Sequence, residues 1–268
     1  MTEAEIEQLA RIALAVAEEA AALVMRAYRS EIAPSEKGRA DLVTEFDVRS
    51  ERLIRRRLGE RTPGVPIVGE EEGGTPEGPT WYCDPIDGTT NFVHGHPFWC
   101  VSIGLMDRNT PLCGAVVAPA LATSWHAHGG QAFRNGAPCR VSDTLLLSEA
   151  LLGTGFPPAA SRGGPEDNVD TFRRVLPHAR GIRRCGAAAI DLCFVGDGTY
   201  DAFWERKLNA WDVAGGAAVV LGAGGTITDL LGEPPELKVG HVVASNGHVH
   251  EALLALLPET AADYAPPP

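Results

Sequence analysis

The chain has 268 residues, of which 44% are hydrophobic and 22% are charged, as is usual for a water-soluble globular protein. Its net charge of −12 argues against direct nucleic-acid binding and against binding to anionic membranes. No run of about 18 apolar residues is present, so the sequence predicts no membrane-spanning helix.

The first element is a long helix predicted over residues 2–29. Thr2 and Glu5 form a capping box, and one face of the helix is rich in alanine. So much alanine on the buried face indicates close approach to a neighbouring element. A polar connection is then predicted over residues 30–42.

A second helix is predicted to begin after Thr44. Asp47 stands where a capping-box acid belongs, so capping alone would explain this residue. The basic segment 55–57 suits the negative end of the helix dipole. Residues 65–68 predict a short strand that leads to Glu70, within a run of acids that a solvated loop would explain equally well.

The segment 81–92 begins as an apolar strand and ends in a glycine followed by hydroxyl residues. Pro85 cannot donate a hydrogen bond to a neighbouring strand and is predicted to end the strand where Asp84 emerges. Gly88 permits a tight turn, and Thr89 suits the start of a helix. The segment is therefore predicted to form a strand, a turn and a helix start.

This segment offers two kinds of ligand at one strand end. Asp84, Asp87 and the carbonyl of Ile86 supply oxygens of the kind that hard divalent cations bind. The turn supplies backbone N–H groups of the kind that bind phosphate. Asp-Pro and Asp-Gly are also common turn dipeptides, so turn formation alone could explain both acids. With the acids found elsewhere, we interpret the segment as a metal-assisted phosphate site.

Short strands follow at close intervals, which predicts an antiparallel meander. They are expected over residues 98–105, 112–118, 123–127, 132–133 and 139–141. Within them, Asn135-Gly136 is a strong hairpin signal.

The second half of the chain alternates strands with helices. Strands are predicted over 150–154, 200–204, 225–230 and 241–245, and helices over about 166–176, 187–195, 211–222 and 248–257. This alternation predicts an α/β (α+β) fold with layered sheets covered by helices. We expect one domain over 1–268, with a first half to about 145, a second half over 146–262 and a frayed tail at 263–268.

The six cysteines show no spacing typical of a metal site or a disulfide framework. No pair has the Cys-x-x-Cys spacing, and most lie in apolar runs, where a free thiol behaves as a small hydrophobic group. We therefore expect a reducing, cytoplasmic location. The start of the chain is acidic rather than basic, which is not typical of a signal peptide.

Four acids stand where a strand ends or a helix begins: Glu70, Asp84, Asp87 and Asp212. Taken alone, Asp212 would be an ordinary acid at a helix N-terminus. Strand ends converge at one edge of a sheet, however, so these acids could meet and bind more than one cation. An acidic chain that binds an anionic substrate also needs cations to mediate the contact.

Several blocks of the chain resemble, in order, the signatures of the inositol monophosphatase family. The strongest are Gly69-Glu70-Glu71, Asp84-Pro85-Ile86-Asp87-Gly88-Thr89-Thr90-Asn91-Phe92 and Trp211-Asp212-Val213-Ala214-Gly215. Weaker ones are Asp41-Leu42-Val43-Thr44 with Asp47, Gly153-Thr154-Gly155-Phe156-Pro157 and Gly222-Ala223-Gly224-Gly225. Together they span nearly the whole chain.

The resemblance implies a magnesium-dependent, lithium-sensitive phosphoric monoester hydrolase with α/β/α/β/α layers, typically a homodimer. By position, two or three Mg²⁺ ions would be bound by Glu70, Asp84, the Ile86 carbonyl, Asp87 and Asp212. Asp47 and Thr89, with Glu70, would form the catalytic set that acts on the attacking water. Asp47 can cap its helix and orient the water at once.

The resemblance also assigns the substrate contacts. Gly88, Thr89 and Thr90 would donate to the phosphate. Gly186, Ala188 and Glu205 would contact the organic part of the substrate, with Glu205 accepting from a hydroxyl. Glu205 also lies in the charged run 205–207, so a solvated surface acid is the alternative.

The substrate expected first is myo-inositol 1-phosphate. Histidinol phosphate and sugar phosphates, including bisphosphates, are alternatives on the same core. A role without catalysis is a further alternative, since relatives of this family can act through protein partners in transcription. The complete acid set favours catalysis.

Overall fold

Two β-sheets enclosing a pair of helices form the framework of the chain. The computed structural model describes residues 1–30, 35–38, 41–156, 168–235 and 240–257. The helices within these ranges are α1 (Glu3–Met25), α2 (Glu45–Arg61), α3 (Thr89–Val93), α4 (Val169–Val175), α5 (Ala188–Gly196), α6 (Ala210–Gly222) and α7 (His250–Leu254). The strands are β1 (Ser35–Gly38), β2 (Asp41–Val43), β3 (Ile67–Gly69), β4 (Pro79–Asp87), β5 (Cys100–Asp107), β6 (Thr110–Ala118), β7 (Thr123–His128), β8 (Gln131–Arg134), β9 (Ala137–Cys139), β10 (Leu151–Thr154), β11 (Gly181–Arg183), β12 (Ala202–Glu205), β13 (Thr226–Thr228) and β14 (Val242–Ser245).

The larger sheet has the strand order β3-β4-β5-β6-β7-β8-β9. β3 and β4 run parallel, and each later pair of neighbours is antiparallel, so β4 to β9 form a meander. The last hairpin turns at Asn135 and Gly136, whose φ angles of 49° and 77° are both left-handed, as the Asn-Gly pair predicts. The antiparallel meander predicted over residues 98–141 is therefore confirmed.

The smaller sheet has the order β11-β10-β12-β14-β13. β10 runs parallel to both of its neighbours, and β14 runs antiparallel to both of its own. Parallel neighbours need crossover connections, and here α4 links β10 to β11 while α5 links β11 to β12. These two helices lie on opposite faces of the sheet.

The elements stack in α/β/α/β/α layers, as the resemblance implied. α1 and α2 pack on one face of the larger sheet, with the alanine-rich face of α1 buried against β5 and β6. α5 and α6 fill the space between the two sheets. α4 and α7 cover the outer face of the smaller sheet. Alternating strands and helices bury both faces of the smaller sheet in this way.

The backbone of α6 lies directly on the larger sheet. A Cβ atom on Gly104 of β5 would lie 2.4 Å from the carbonyl carbon of Ala214, and one on Gly114 of β6 would lie 2.9 Å from Cα of Gly215. Only glycine permits so close an approach. This contact holds the first half of α6 against the strands that follow β4.

Two local predictions were wrong, and one strand was missed. Residues 30–42 were predicted as a connection, but β1 and β2 form an antiparallel pair there. β4 does not end at Pro85 but continues to Asp87, because the pairing with β5 is irregular between Asp84 and Asp87, where a missing N–H costs no ladder bond. The short edge strand β11 was not predicted, since three residues carry too little pattern.

Some predictions lie partly or wholly outside the described residues. These are Pro157 of the Gly153 block, the start of the helix expected near 166, and the tail at 263–268. In the part of the chain that is described, no helix combines the length and the apolar character needed to cross a membrane.

Candidate active site

The predicted acids lie at the ends of elements that meet at one edge of the larger sheet. Glu70 follows β3, and Asp84 and Asp87 lie in the last part of β4, its parallel neighbour. Asp47 and Asp212 lie in the first turns of α2 and α6. Parallel strands end on the same side of a sheet, so their exits converge.

Asp84 lies at the centre of these acids. Its side chain is 3% exposed and accepts a hydrogen bond from the Ile86 N–H at 3.0 Å. Burial raises the pKa of Asp84 well above its ordinary value. The next causes, in decreasing order, are the negative charges of Glu70, Asp87, Asp212 and Asp47. The structure thus brings the other four acids within electrostatic reach of Asp84.

Asp87 is held by the N-terminus of α5. Its Oδ2 accepts the Ala189 N–H at 2.7 Å and lies 3.7 Å from the Cys100 thiol. Burial raises the pKa of Asp87 to about 7, although hydrogen bonds from Ala189, Cys100 and Ala188 oppose this rise. Ala188, expected to contact the substrate, therefore lies beside Asp87.

Asp212 both caps α6 and joins the acid group. Its Oδ2 accepts the Asn209 N–H at 2.6 Å, which completes a capping box. Burial raises the pKa of Asp212 to about 7, with the Asp87 charge adding to the rise. Hydrogen bonds from Asn209 and Asp84 act in the opposite direction.

The negative charges of these acids act against one another at Asp84. In the described part of the chain, no three acidic, histidine or cysteine side chains lie close enough together to hold a metal ion. Asp84, Asp87 and Asp212 each accept a hydrogen bond from a backbone N–H group.

Asp47 and Thr89 form a line that leads to the Ile86 carbonyl. The Thr89 hydroxyl lies 3.1 Å from Oδ1 of Asp47 and 3.0 Å from the carbonyl oxygen of Ile86. The other oxygen of Asp47 accepts the N–H and the hydroxyl of Thr44, at 2.7 and 2.6 Å. Burial raises the pKa of Asp47. Asp47 therefore caps α2 and contacts Thr89 at the same time.

The turn after β4 presents hydrogen-bond donors beside the acids. Gly88 has a φ of 91°, and a Cβ atom there would lie 3.0 Å from the Phe98 carbonyl oxygen, so the position needs glycine. Thr89 and Thr90 then begin α3, with Thr90 exposed. First-turn N–H groups have no partner within their own helix, and together with the hydroxyls they suit an anion.

Asn91 ties this turn to the loop before α5. Its side-chain amide donates to the carbonyls of Phe98 and Cys185, at 2.6 and 2.8 Å. Gly186 follows Cys185 with a φ of 85°. Gly186 is thereby placed beside the turn that carries the acids.

Glu205 lies at the same site, at the end of β12. Its carboxyl packs so closely on Gly155 that a Cβ atom there would lie 2.0 Å from it. Burial raises the pKa of Glu205 to about 8; the Asp87 charge adds to the rise and Arg184 opposes it. The alternative of a solvated surface acid does not fit this environment.

Two acids of this region were not predicted. Glu51 in α2 is 0% exposed, and Asp191 in α5 is 1% exposed with no hydrogen-bond partner among the described residues for either carboxyl oxygen. Burial raises the pKa of Asp191 well above its ordinary value, and the charge of Glu205 adds to this. Glu51 could have been found from its spacing of one helical turn from Asp47, whereas Asp191 lies in an apolar helix without such a signal.

The interpretation of residues 55–57 as a dipole complement was wrong for two of the three arginines. Arg55 is paired with the buried Glu51 at 2.7 Å, and Arg57 is paired with Glu19 of α1 at 2.7 Å. These arginines connect elements of the fold.

Comparison with known proteins gives a consistent result. The model of the inositol monophosphatase family matches residues 5–262. The chain is 40% identical to Nus factor SuhB of Pseudomonas aeruginosa over 264 residues, covering 94% of this chain and 96% of that protein. It is 41% identical to the inositol-1-monophosphatase of Rhizobium meliloti over 222 residues, covering 81% and 83%. The structure of the inositol monophosphatase from Anabaena (Nostoc) sp. PCC 7120 matches with a TM-score of 0.86 at 32% identity, covering 96% of this chain and 99% of that chain.

Proposed function

Because the chain belongs to the inositol monophosphatase family and is a phosphatase, we propose that it hydrolyses small phosphate monoesters with Mg²⁺, with myo-inositol 1-phosphate as the principal substrate. The observation that supports this proposal most directly is the position of Asp84, a buried carboxyl group on which the negative charges of four other acids act. Acids grouped in this way need cations to offset their mutual repulsion, and an anionic substrate needs cations to bind beside them.

The donor set fits magnesium. Glu70, Asp84, Asp87, Asp212 and the Ile86 carbonyl would hold two or three ions, and all of them are oxygen donors, as Mg²⁺ prefers. The repulsion that raises the pKa of Asp84 is what a divalent cation would relieve. When bound, the metal supplies a lower pKa for the attacking water and charge neutralisation for the leaving alkoxide.

Asp47 and Thr89 act on the attacking water. The Thr89 hydroxyl has one proton and two acceptors within reach, Asp47 and the Ile86 carbonyl. When the Thr89 hydroxyl donates a hydrogen bond to Asp47, its oxygen can accept a hydrogen bond from the attacking water. Glu70, at the exit of β3, would orient the same water. No covalent intermediate with a protein side chain is needed, so positioning and charge stabilisation dominate.

The remaining residues bind the substrate. Gly88, Thr89 and Thr90 would donate to the phosphate from the first turn of α3. Gly186 and Ala188 would contact the organic part, and Glu205 would accept a hydrogen bond from one of its hydroxyl groups. The close contact between Glu205 and Gly155 supports this assignment, because it holds the carboxyl in one place.

A phosphate-release assay tests the proposal. The protein is incubated with Mg²⁺ and, separately, with myo-inositol 1-phosphate, histidinol phosphate, fructose 1,6-bisphosphate and adenosine 3′,5′-bisphosphate, with a metal-chelated sample as the control. We expect the highest kcat/KM for myo-inositol 1-phosphate. A higher kcat/KM for histidinol phosphate or for the sugar bisphosphate would make that compound the assigned substrate, with the same hydrolytic chemistry.

The second candidate function is partner binding without catalysis. It is favoured by the relative at 40% identity that is named Nus factor SuhB. Absence of turnover with all four substrates, in protein shown to bind Mg²⁺, would place this candidate first.

We also propose lithium inhibition, a homodimeric state and a cytoplasmic location. The family resemblance supports the first two. Six free cysteines, of which four are buried, suit a reducing location. Light scattering of the purified protein tests the dimer, and Li⁺ titration of the phosphatase assay tests the inhibition.

A further inference from the structure

The turn that carries Glu70 is short and closed at its ends. Gly69 and Gly73 exchange two backbone hydrogen bonds, at 3.0 and 3.1 Å. Glu70 is the first residue inside this turn, directly after β3. Its position therefore depends on how the turn is held against the rest of the protein.

Glu51 holds this turn from α2. Its carboxylate is fully buried and accepts the N–H of Glu71 at 2.6 Å and the N–H of Glu72 at 3.0 Å. A Cβ atom on Gly69 would lie 2.3 Å from this carboxylate, so the contact requires glycine there. The two residues that follow Glu70 are thus both fastened to one side chain.

Arg55 pairs with Glu51 and donates hydrogen bonds to backbone carbonyls on either side of Glu70. Its Nε donates to Glu51 at 2.7 Å, and its terminal nitrogens donate to the carbonyls of Ile67, at 3.3 Å, and of Gly73. Pairing and hydrogen bonding of this kind offset the cost of burying a carboxyl group. The turn is therefore held on its N–H side by Glu51 and on its carbonyl side by Arg55.

The same helix also carries Asp47. Asp47 and Glu51 are one turn apart on the buried face of α2, with Asp47 contacting Thr89 and Glu51 contacting the Glu70 turn. Helix α2 therefore links the position of Asp47 to the position of Glu70, the two acids proposed to act on the attacking water.

We infer that Glu51 is a positioning residue that places Glu70 for metal binding, with Arg55 as its partner. The inference rests on the proposed function, since it assumes that Glu70 is a metal ligand. Groups that orient metal ligands typically change metal affinity about 10–100-fold when they are replaced.

The test compares Mg²⁺ binding by wild type, Glu51→Gln, Glu70→Gln and the double variant, using calorimetric titration without substrate. Glutamine keeps the shape of Glu51 but places an NH₂ group against donors that need an acceptor. We expect Glu51→Gln to weaken Mg²⁺ binding about 10–100-fold. We expect less than this loss in the Glu70→Gln background, because both changes act through one ligand.

Arg52→Gln is the matched control. It removes an exposed 2.8 Å contact from α2 to Glu72 of the same turn without touching Glu51. We expect its Mg²⁺ affinity to stay within about 2-fold of wild type. If Glu51→Gln does not fold, Arg55→Lys replaces it in the test. Lysine keeps the positive charge but cannot donate to Glu51 and to the backbone carbonyls at the same time. Weaker Mg²⁺ binding by Arg55→Lys would then support the inference.

A folded Glu51→Gln variant with wild-type Mg²⁺ affinity would overturn the inference. So would a fully additive loss in the double variant, which would indicate only general loosening of the fold. Failure of the wild type itself to bind Mg²⁺ is a different result, because it would overturn the proposed function first.

Discussion

The hydroxyl oxygen of Thr89 lies 3.1 Å from Oδ1 of Asp47, and this contact joins residues 42 positions apart in the chain. It links the first turn of α2 to the turn that follows β4. Asp47 is 1% exposed and is held on its other oxygen by Thr44. The pair is therefore a fixed hydrogen-bonded unit beside the predicted metal ligands.

Thr89→Ala is expected to lower kcat about 10²–10⁴-fold, the usual contribution of a positioned proton acceptor. Mg²⁺ affinity should change little, because the hydroxyl is not among the proposed ligands. Thr89→Ser keeps the hydroxyl and should retain most of the activity. Steady-state kinetics with a parallel Mg²⁺ titration measures both quantities. An alanine variant that keeps more than about a tenth of wild-type kcat would remove Thr89 from this role.

Asp87→Asn is expected to lower turnover by about 10³-fold or more, because a proposed metal ligand is lost. Without metal, the melting temperature should stay the same or rise, since a buried, repelled charge is removed while the amide oxygen can still accept the Ala189 N–H. The rise in melting temperature on adding Mg²⁺ should largely disappear. Asp170→Asn, at an exposed acid of α4, is the control. An undiminished Mg²⁺ effect in Asp87→Asn would contradict the assignment.

Glu205→Gln is expected to change substrate preference more than metal affinity. The carboxyl lies against Gly155 and feels Arg184 as well as the acid group, so it borders the site. We expect the ratio of kcat/KM values for two different substrates to change about 10-fold, with the Mg²⁺ requirement nearly constant. Glu149→Gln, at an exposed acid, serves as the control. An unchanged ratio would return Glu205 to a structural role.

The metal-free protein should lose stability as pH rises. The pKa values of Asp87 and Asp212 are raised from 3.8 to about 7 in the folded state, so the folded protein binds more protons than the unfolded chain between these values. Stability contributed by those protons is lost as pH rises through that window and levels off above about 7. Melting temperatures in a chelator at several pH values measure this.

The same protons compete with Mg²⁺. The stabilisation that Mg²⁺ produces should therefore be larger at about pH 8 than at about pH 6. In Asp87→Asn, the pH dependence of the metal-free protein should be weaker than in wild type. Identical slopes in the two proteins would show that other groups cause the dependence.

Local features of the fold could be predicted because they depend on neighbouring residues. The capping boxes at Thr2 and Thr44 and the Asn135-Gly136 hairpin are present as predicted. Each involves only residues a few positions apart, so the local sequence pattern already contains both partners of the contact. The order of the family blocks likewise indicated the layers.

Features that depend on distant partners could not be predicted. The role of Arg55 is decided by Glu51 and by the turn after β3. The continuation of β4 past Pro85 is decided by the irregular pairing with β5. Neither partner is visible in the local pattern, which in each case favoured a simpler interpretation.

The sequence by itself determined which acids are available and which family the chain resembles, because these are properties of residue identity and order. Only the tertiary structure decided that the charges of Glu70, Asp87 and Asp212 act on the buried Asp84 and that Glu51 holds the turn of Glu70. The physical reason is that burial and charge repulsion arise between side chains that strand pairing and helix packing bring together. Those contacts do not exist until the chain has folded.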